Sequence, residues 1–127
     1  SAVRAIMAQR LVRALCKECK GPAELSDAEM RMLRLDPAQL AESTIMGPGQ
    51  CDSCRQGGFR GRQGIFEIFK VDDEVRHLIN ENLSTPQLRR RARELGMRTL
   101  REDGIRKVLA GVTSASEVIS VTMSDAD

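Results

Sequence analysis

The sequence has no tryptophan, no tyrosine and only three phenylalanines among its 127 residues. Its core must therefore be aliphatic, built from Leu, Ile, Val, Met and Ala. The aromatic platforms on which nucleic-acid bases stack are scarce for the same reason. Net charge is almost absent: twenty Lys and Arg against eighteen Asp and Glu leave +2. So weak a bias gives little attraction to nucleic acid or to an anionic lipid surface. No run of about 18 apolar residues occurs, which excludes a membrane-spanning helix. No charged start with an apolar stretch and cleavage site marks a signal peptide. The first residue is Ser1 rather than Met, and the sequence reads as an excised fragment. The one histidine, His77, lies in a helical pattern over 72–82. A lone helical His is more often a surface or core group than a catalyst.

The length suits one compact domain, or a small core with a satellite module. Over residues 1–15, Val3, Ile6, Met7, Leu11, Ala14 and Leu15 fall on one helical face, so a helix is expected. A capping box, Ser26 to Glu29, opens a short helix to about Leu35. Asp36-Pro37 restarts a turn or short helix. Gly47-Pro48-Gly49 is a strong turn. Gln63 to Phe69 is the best strand, with Ile65 and Phe66 on opposite sides and apolar groups on both, as in a sheet covered on both faces. Helical stripes then continue to the end. They run through Val71, Val75, Leu78 and Ile79, then through Leu88, Ala92 and Leu95 after a Ser84-Thr85 cap. Capping boxes at Thr99–Glu102 and Ser114–Glu117 open the last two helices, and the last residues, 124–127, are expected to fray.

Four cysteines form two C-x-x-C pairs, Cys16/Cys19 and Cys51/Cys54. A two-residue spacer lets both sulfurs of a pair curl toward one ion, and four thiolates suit a tetrahedral structural zinc with no open position. Gly21 and the Gly57-Gly58 pair lie just past each knuckle, where a positive φ is often needed. Lys17, Lys20 and Arg55 flank the sulfurs and would offset part of the charge of a zinc tetrathiolate. Two readings compete with zinc. Two disulfides would suit an oxidising compartment. A redox C-x-x-C would need one exposed, activated pair rather than two matching ones. With no His, Asp or Glu in ligand spacing, the metal is expected to fold a segment too small for its own core, and not to catalyse.

Three stretches, MAQRLVRALCKECK, CDSCRQGGFRGRQGIFEIF and LREDGIRKVLAGVTSASEVISVT, resemble in order the C-terminal region of the type II secretion and type IV pilus assembly ATPases. The resemblance implies an α+β, mostly helical fold at the end of a RecA-like ATPase domain. Residues 1–15 would be the terminal helix of the ATPase core. Residues 16–60 would be an inserted tetracysteine zinc module. Residues 61–127 would be a core strand plus a helical C-terminal subdomain. It further implies a cytoplasmic hexamer, peripheral at the inner membrane through its partners. Those partners would be neighbouring ATPase subunits, the inner-membrane platform and cytoplasmic-domain components of the machine, with no nucleic acid and no direct membrane insertion. ATP and Mg²⁺ would belong to the full-length parent. No G-x-x-x-x-G-K-[ST] loop lies in this sequence, and the family's acidic Walker-B-type segment and Asp- and His-rich boxes are absent too. No catalytic or nucleotide-binding residue is therefore expected here, and no ATP turnover by the fragment alone.

Several residues stay open. Arg89, Arg90, Arg91 and Arg93 are either a solvated helix face, partly countered by Glu94, or a contact to a neighbour. Arg60 and Arg62 bracket Gly61 and either pair with carboxylates or merely flank a turn. Arg10 and Arg13 carry no assigned nucleotide contact. Met30, Met32 and Met46 either fill a small core or line a changeable docking surface. A zinc-ribbon nucleic-acid-binding module is the rival function. It explains the cysteines and arginines but not the strand, the following helices or the near-neutral charge.

Overall fold

The computed structural model describes residues 5–81 and 85–123, without the side chains of Leu78, Ile79 and Thr85. The expectations for Val3, the Ser84 cap, Leu78, Ile79 and 124–127 lie outside those residues or side chains. The architecture is α+β. A long antiparallel hairpin carries the two cysteine-bearing knuckles at one end and a layer of helices on one face.

The first element corrects the expectation of a helix over residues 1–15. It is strand β1, Ala5–Leu15. Its partner is β4, Phe59–Lys70, antiparallel, with Ala5 opposite Lys70 and Arg13 opposite Arg62. The reason is backbone satisfaction. An isolated QGIFEIF strand would leave a row of N–H and C=O groups unpaired against the core, and β1 is the segment that pairs them. The apolar residues of 5–15 satisfy both periods, so the pattern alone did not decide. In the strand, Val12 points inward at 1% exposure, whereas Ile6, Met7 and Leu11 are 52%, 63% and 47% exposed.

The hairpin is covered on one face only. Val12 and Ile65 lie in the main core, whereas Met7, Leu11, Phe66 and Ile68 crowd the opposite, exposed face. Between Arg13 and Leu15 the ladder is irregular. There the backbone turns to the helices instead. The Arg13 N–H donates to Glu117 Oε1 at 2.8 Å, and the Arg13 carbonyl accepts from Thr113 Oγ1 at 2.7 Å. The Leu15 N–H donates to the Val112 carbonyl at 2.9 Å. Arg13 Nη2 pairs with Glu117 Oε2 at 2.8 Å while its guanidinium lies 4.1 Å from the Phe59 ring centroid.

Between the strands run β2 (Gly21–Pro22), α1 (Asp27–Leu33), α2 (Pro37–Ala41) and β3 (Met46–Gly47), with β2 and β3 paired. The capping box at Ser26 forms as expected, and Asp36 makes a second one with Gln39. After β4 come α3 (Asp73–Asn80), α4 (Thr85–Glu94), α5 (Leu100–Leu109) and α6 (Ala115–Thr122). Thr99 caps α5 through the expected box. Ser114 caps α6, but Glu117 does not return the bond, because its carboxylate holds Arg13 instead.

One aliphatic cluster ties these parts together: Leu33 and Leu35 from the cysteine-flanked segment, Val12 and Ile65 from the hairpin, and Leu100, Val108, Ala115 and Val118 from α5 and α6. Asp103 on α5 clips the helix to β4 by accepting the Phe66 N–H at 2.9 Å. Arg91 resolves part of the arginine question. It ties α4 to α3 through Asp72 at 2.8 Å and Glu74 at 3.1 Å, and also meets Glu94 at 3.3 Å. The Asp72 carboxyl is held below its usual range by the Val75 N–H and by Arg91.

Candidate metal centre

The two C-x-x-C knuckles sit at the end of the hairpin, one directly after β1 and the other shortly before β4. Strand pairing therefore brings together cysteines far apart in sequence. The Cys16 N–H donates to the Gly58 carbonyl at 2.9 Å, which stitches one knuckle to the other. Each knuckle closes through its own backbone: Lys20 N–H to the Cys16 carbonyl at 3.0 Å, and Gln56 N–H to the Cys51 carbonyl at 2.8 Å.

All four sulfurs lie within 4.8 Å of one another. Cys16–Cys51, Cys19–Cys54 and Cys51–Cys54 are each separated by 3.7 Å. A tetrahedron of ~2.3 Å metal–sulfur bonds has edges of about 3.8 Å. A disulfide needs sulfurs about 2.05 Å apart, and all four cysteines are free. The donor set thus fits a single tetrahedral ion with sulfur affinity, and no fourth position is left for water or substrate.

The sequence expected glycine to supply the positive φ. Gly58 does, at +82°, but Arg55 and Gln56 also adopt it, at 54° and 65°, while Gly21 and Gly57 do not. Gly58 is needed for space as well, since a Cβ there would meet Pro48 Cβ at 2.4 Å. Gly49 is a close approach that the motif did not reveal. A Cβ on it would sit 2.1 Å from the Cys19 carbonyl oxygen. The Gly-Pro-Gly turn is thus packed onto the first knuckle, and the turn signal was the available hint.

Burial and neighbouring thiols push the Cys19 thiol up to about 12. Cys51 is also raised. Cys54 is also opposed by burial, yet falls to about 6, because the Gly58 N–H, at 3.2 Å from its sulfur, and the neighbouring cysteines favour its thiolate. Lys20 is engaged elsewhere. Its Nζ donates to the Gly111 carbonyl at 2.9 Å and anchors the knuckle to the α5–α6 junction. The Thr44 N–H, just before β3, ties the cysteine-flanked segment to the end of α5 through the Leu109 carbonyl at 2.9 Å. Arg60 reaches Ser53 Oγ within the second knuckle rather than a carboxylate. His77 is exposed and faces Glu81 at 3.5 Å, away from the cysteines.

The family described as Type II/IV secretion system protein matches residues 1–120. The chain belongs to that family. Among relatives, the type II secretion system protein E of Pseudomonas aeruginosa is 43% identical over 98% of this chain. The corresponding protein of Dickeya dadantii is 41% identical over 94% of it. The type IV pilus assembly ATPase PilB of Thermus thermophilus is 37% identical over 97%. The chain spans 24%, 23% and 14% of the lengths of these three relatives. Among the described residues, no helix of this family member is long and apolar enough to cross a membrane.

Proposed function

We propose that this chain is the C-terminal region of a motor ATPase of type II secretion or type IV pilus assembly, and that its four cysteines hold a structural Zn²⁺. The observation that carries the reading is the set of 3.7 Å sulfur separations in a chain similar along its length to secretion and pilus ATPases. Bound there, the ion supplies folding energy and no Lewis acid, because four sulfurs close its coordination. The residues of the chain do the rest. Cys16, Cys19, Cys51 and Cys54 are the ligands, the Gly58 N–H steadies the Cys54 thiolate, Lys20 joins the first knuckle to the turn after α5, and Thr44 joins the intervening segment to the end of α5.

The parent is read as a hexamer at the cytoplasmic face of the inner membrane, which converts ATP hydrolysis into assembly of a pilin or pseudopilin fibre. Its docking partners are neighbouring subunits and components of the membrane platform. The exposed face formed by Met7, Leu11, Phe66 and Ile68 supports a RecA-like parent domain. A sheet face this apolar suits burial under further chain. Phosphate binding is left to residues outside this sequence, so the chain alone should release no phosphate from ATP. The test pairs elemental analysis with a turnover assay. One zinc per chain and no turnover are expected. Metal-free reduced protein sinks the zinc reading, and phosphate release sinks the assignment of catalysis to the rest of the parent.

Zinc affinity should depend steeply on pH. In the metal-free state Cys19 and Cys51 hold their protons at neutral pH, whereas Cys54 has lost its own. Zinc must displace the held protons, so acid opposes loading. With at least two protons displaced, affinity should fall about a hundredfold or more per unit of pH lowered near neutrality. Below about pH 6 the slope should steepen as Cys54 also becomes protonated. Competition titration with a chromogenic chelator across pH 5.5 to about 8 measures this. A flat profile would contradict the thiol assignments.

A further inference from the structure

A cleft of about 630 Å³ runs between the C-terminal end of α1, the start of α5 and the end of α4. The metal centre makes no use of it. Six arginines line it: Arg31, Arg34, Arg93, Arg98, Arg101 and Arg106. Among the described residues, Glu102 is the one carboxylate in the lining, and its Oε1 already accepts the Thr99 N–H at 3.2 Å. In a protein of net charge +2, such a concentration makes a strong local positive field. Arg34 and Arg93 have partners of their own, and Arg101 and Arg106 brace the walls. Arg101 donates to the Met32 carbonyl at 3.3 Å and to Thr122 Oγ1 at 3.0 Å, and Arg106 pairs with Asp103 at 3.1 Å. The remaining lining is largely aliphatic, through Leu33, Leu35, Ile105 and Leu109, with Met32 standing 54% exposed at the edge.

We infer that this cleft takes an acidic, amphipathic peptide segment of a partner protein. Its aliphatic side chains lie on the leucine and isoleucine floor, and its Glu or Asp carboxylates meet the arginine rim. Guanidinium forks match carboxylates in two-point geometry. An apolar floor with a charged rim is how a groove accepts one face of a helix. A nucleic-acid strand fits worse, because no aromatic lines the cleft to stack a base. The exposed Met32 suits a surface that adapts to its occupant. Since α1 lies in the cysteine-flanked segment and α5 in the helical tail, the occupant bridges the two. The inference deepens the partner-docking part of the reading above, and rests on it only for the occupant being a protein of the machine.

The probe is a short fluorescein-labelled peptide with Leu and Glu at helical i, i+3, i+4, i+7 spacing, titrated with the zinc-loaded chain and followed by anisotropy. The controls are a scrambled peptide of the same composition, a Lys-for-Glu version and a labelled DNA single strand. The patterned peptide should bind at least about tenfold tighter than any control. Arg31→Glu with Arg98→Glu, both exposed side chains, should weaken it about tenfold or more. Arg62→Glu with Lys70→Glu, both exposed and off the cleft, should leave it within about twofold. Zinc content and melting of each variant confirm folding, and Arg98→Ala serves if the double reversal does not fold. No binding, equal binding of the scrambled peptide, preferential binding of DNA, or equal loss in both double variants overturns the proposal. So does sedimentation showing the cleft filled by a second copy of this chain. Zinc content of the unsubstituted chain tests the metal reading separately, so the two failures are distinguishable.

Discussion

Replacing Cys51 by serine is expected to abolish stoichiometric zinc binding and to lower the melting temperature by about 15 °C or more. The magnitudes decide this. Metal binding by isolated zinc-binding peptides is worth about 10–16 kcal/mol, whereas whole domains are stable by about 5–15. The other contacts at the knuckles are a few hydrogen bonds, each worth about 1 kcal/mol. Residues 16–60 add Leu33 and Leu35 to the buried cluster, with Leu25, Met30, Leu40 and Ile45 only partly buried against it, and β2 and β3 pair over two residues each. Amide exchange in the knuckles should therefore approach that of unfolded chain. Helices α5 and α6 should persist, because Val108, Ala115 and Val118 pack on Val12 and Ile65 without passing through the metal. Chelator should reproduce the effect in the unsubstituted chain and add nothing to the variant. A variant that keeps one zinc and an unchanged melting curve would show that Cys51 is not a ligand. Global loss of helical circular dichroism would show instead that the helices depend on the metal module.

How much of this was legible in the sequence depends on whether the signal was local. Capping boxes are local, and those at Ser26 and Thr99 appear where the residues put them. The C-x-x-C pairs are local too, and the expected meeting of the two pairs is seen in four sulfurs within 4.8 Å of one another. Strand β1 failed because its signal was not local. Ile6, Met7, Leu11 and Leu15 fit a helical stripe, and what overrides it is the hydrogen-bonding demand of β4, more than forty residues away along the chain. Glu117 shows the same limit. Its spacing from Ser114 predicted a capping box, yet the carboxylate binds Arg13, at a sequence separation of 104 residues. No spacing rule reports a partner at that distance. The second face of the hairpin is a different matter. The sequence pattern predicted cover on both faces, and the described residues supply it on one only, since Phe66 and Ile68 remain 38% and 49% exposed.

That contrast between faces sets the last expectation. Ile65 has no exposed surface and sits on the core face of β4, whereas Ile68 lies on the other face. Ile65→Ala should cost about 3–4 kcal/mol, because removing buried methyl and methylene groups loses transfer energy and leaves a cavity. In a chain of this size that lowers the melting temperature by about 10–15 °C. Ile68→Ala should cost below about 1 kcal/mol here, since mostly strand preference and partial cover are lost. Thermal melts of the two variants at fixed zinc give the comparison. The same Ile68→Ala placed in a full-length relative-sized parent should cost markedly more, because there the proposed RecA-like domain would cover that face. Equal, small costs of Ile68→Ala in both settings would mean that the face stays open in the parent, and that the hairpin is not the edge of a larger sheet.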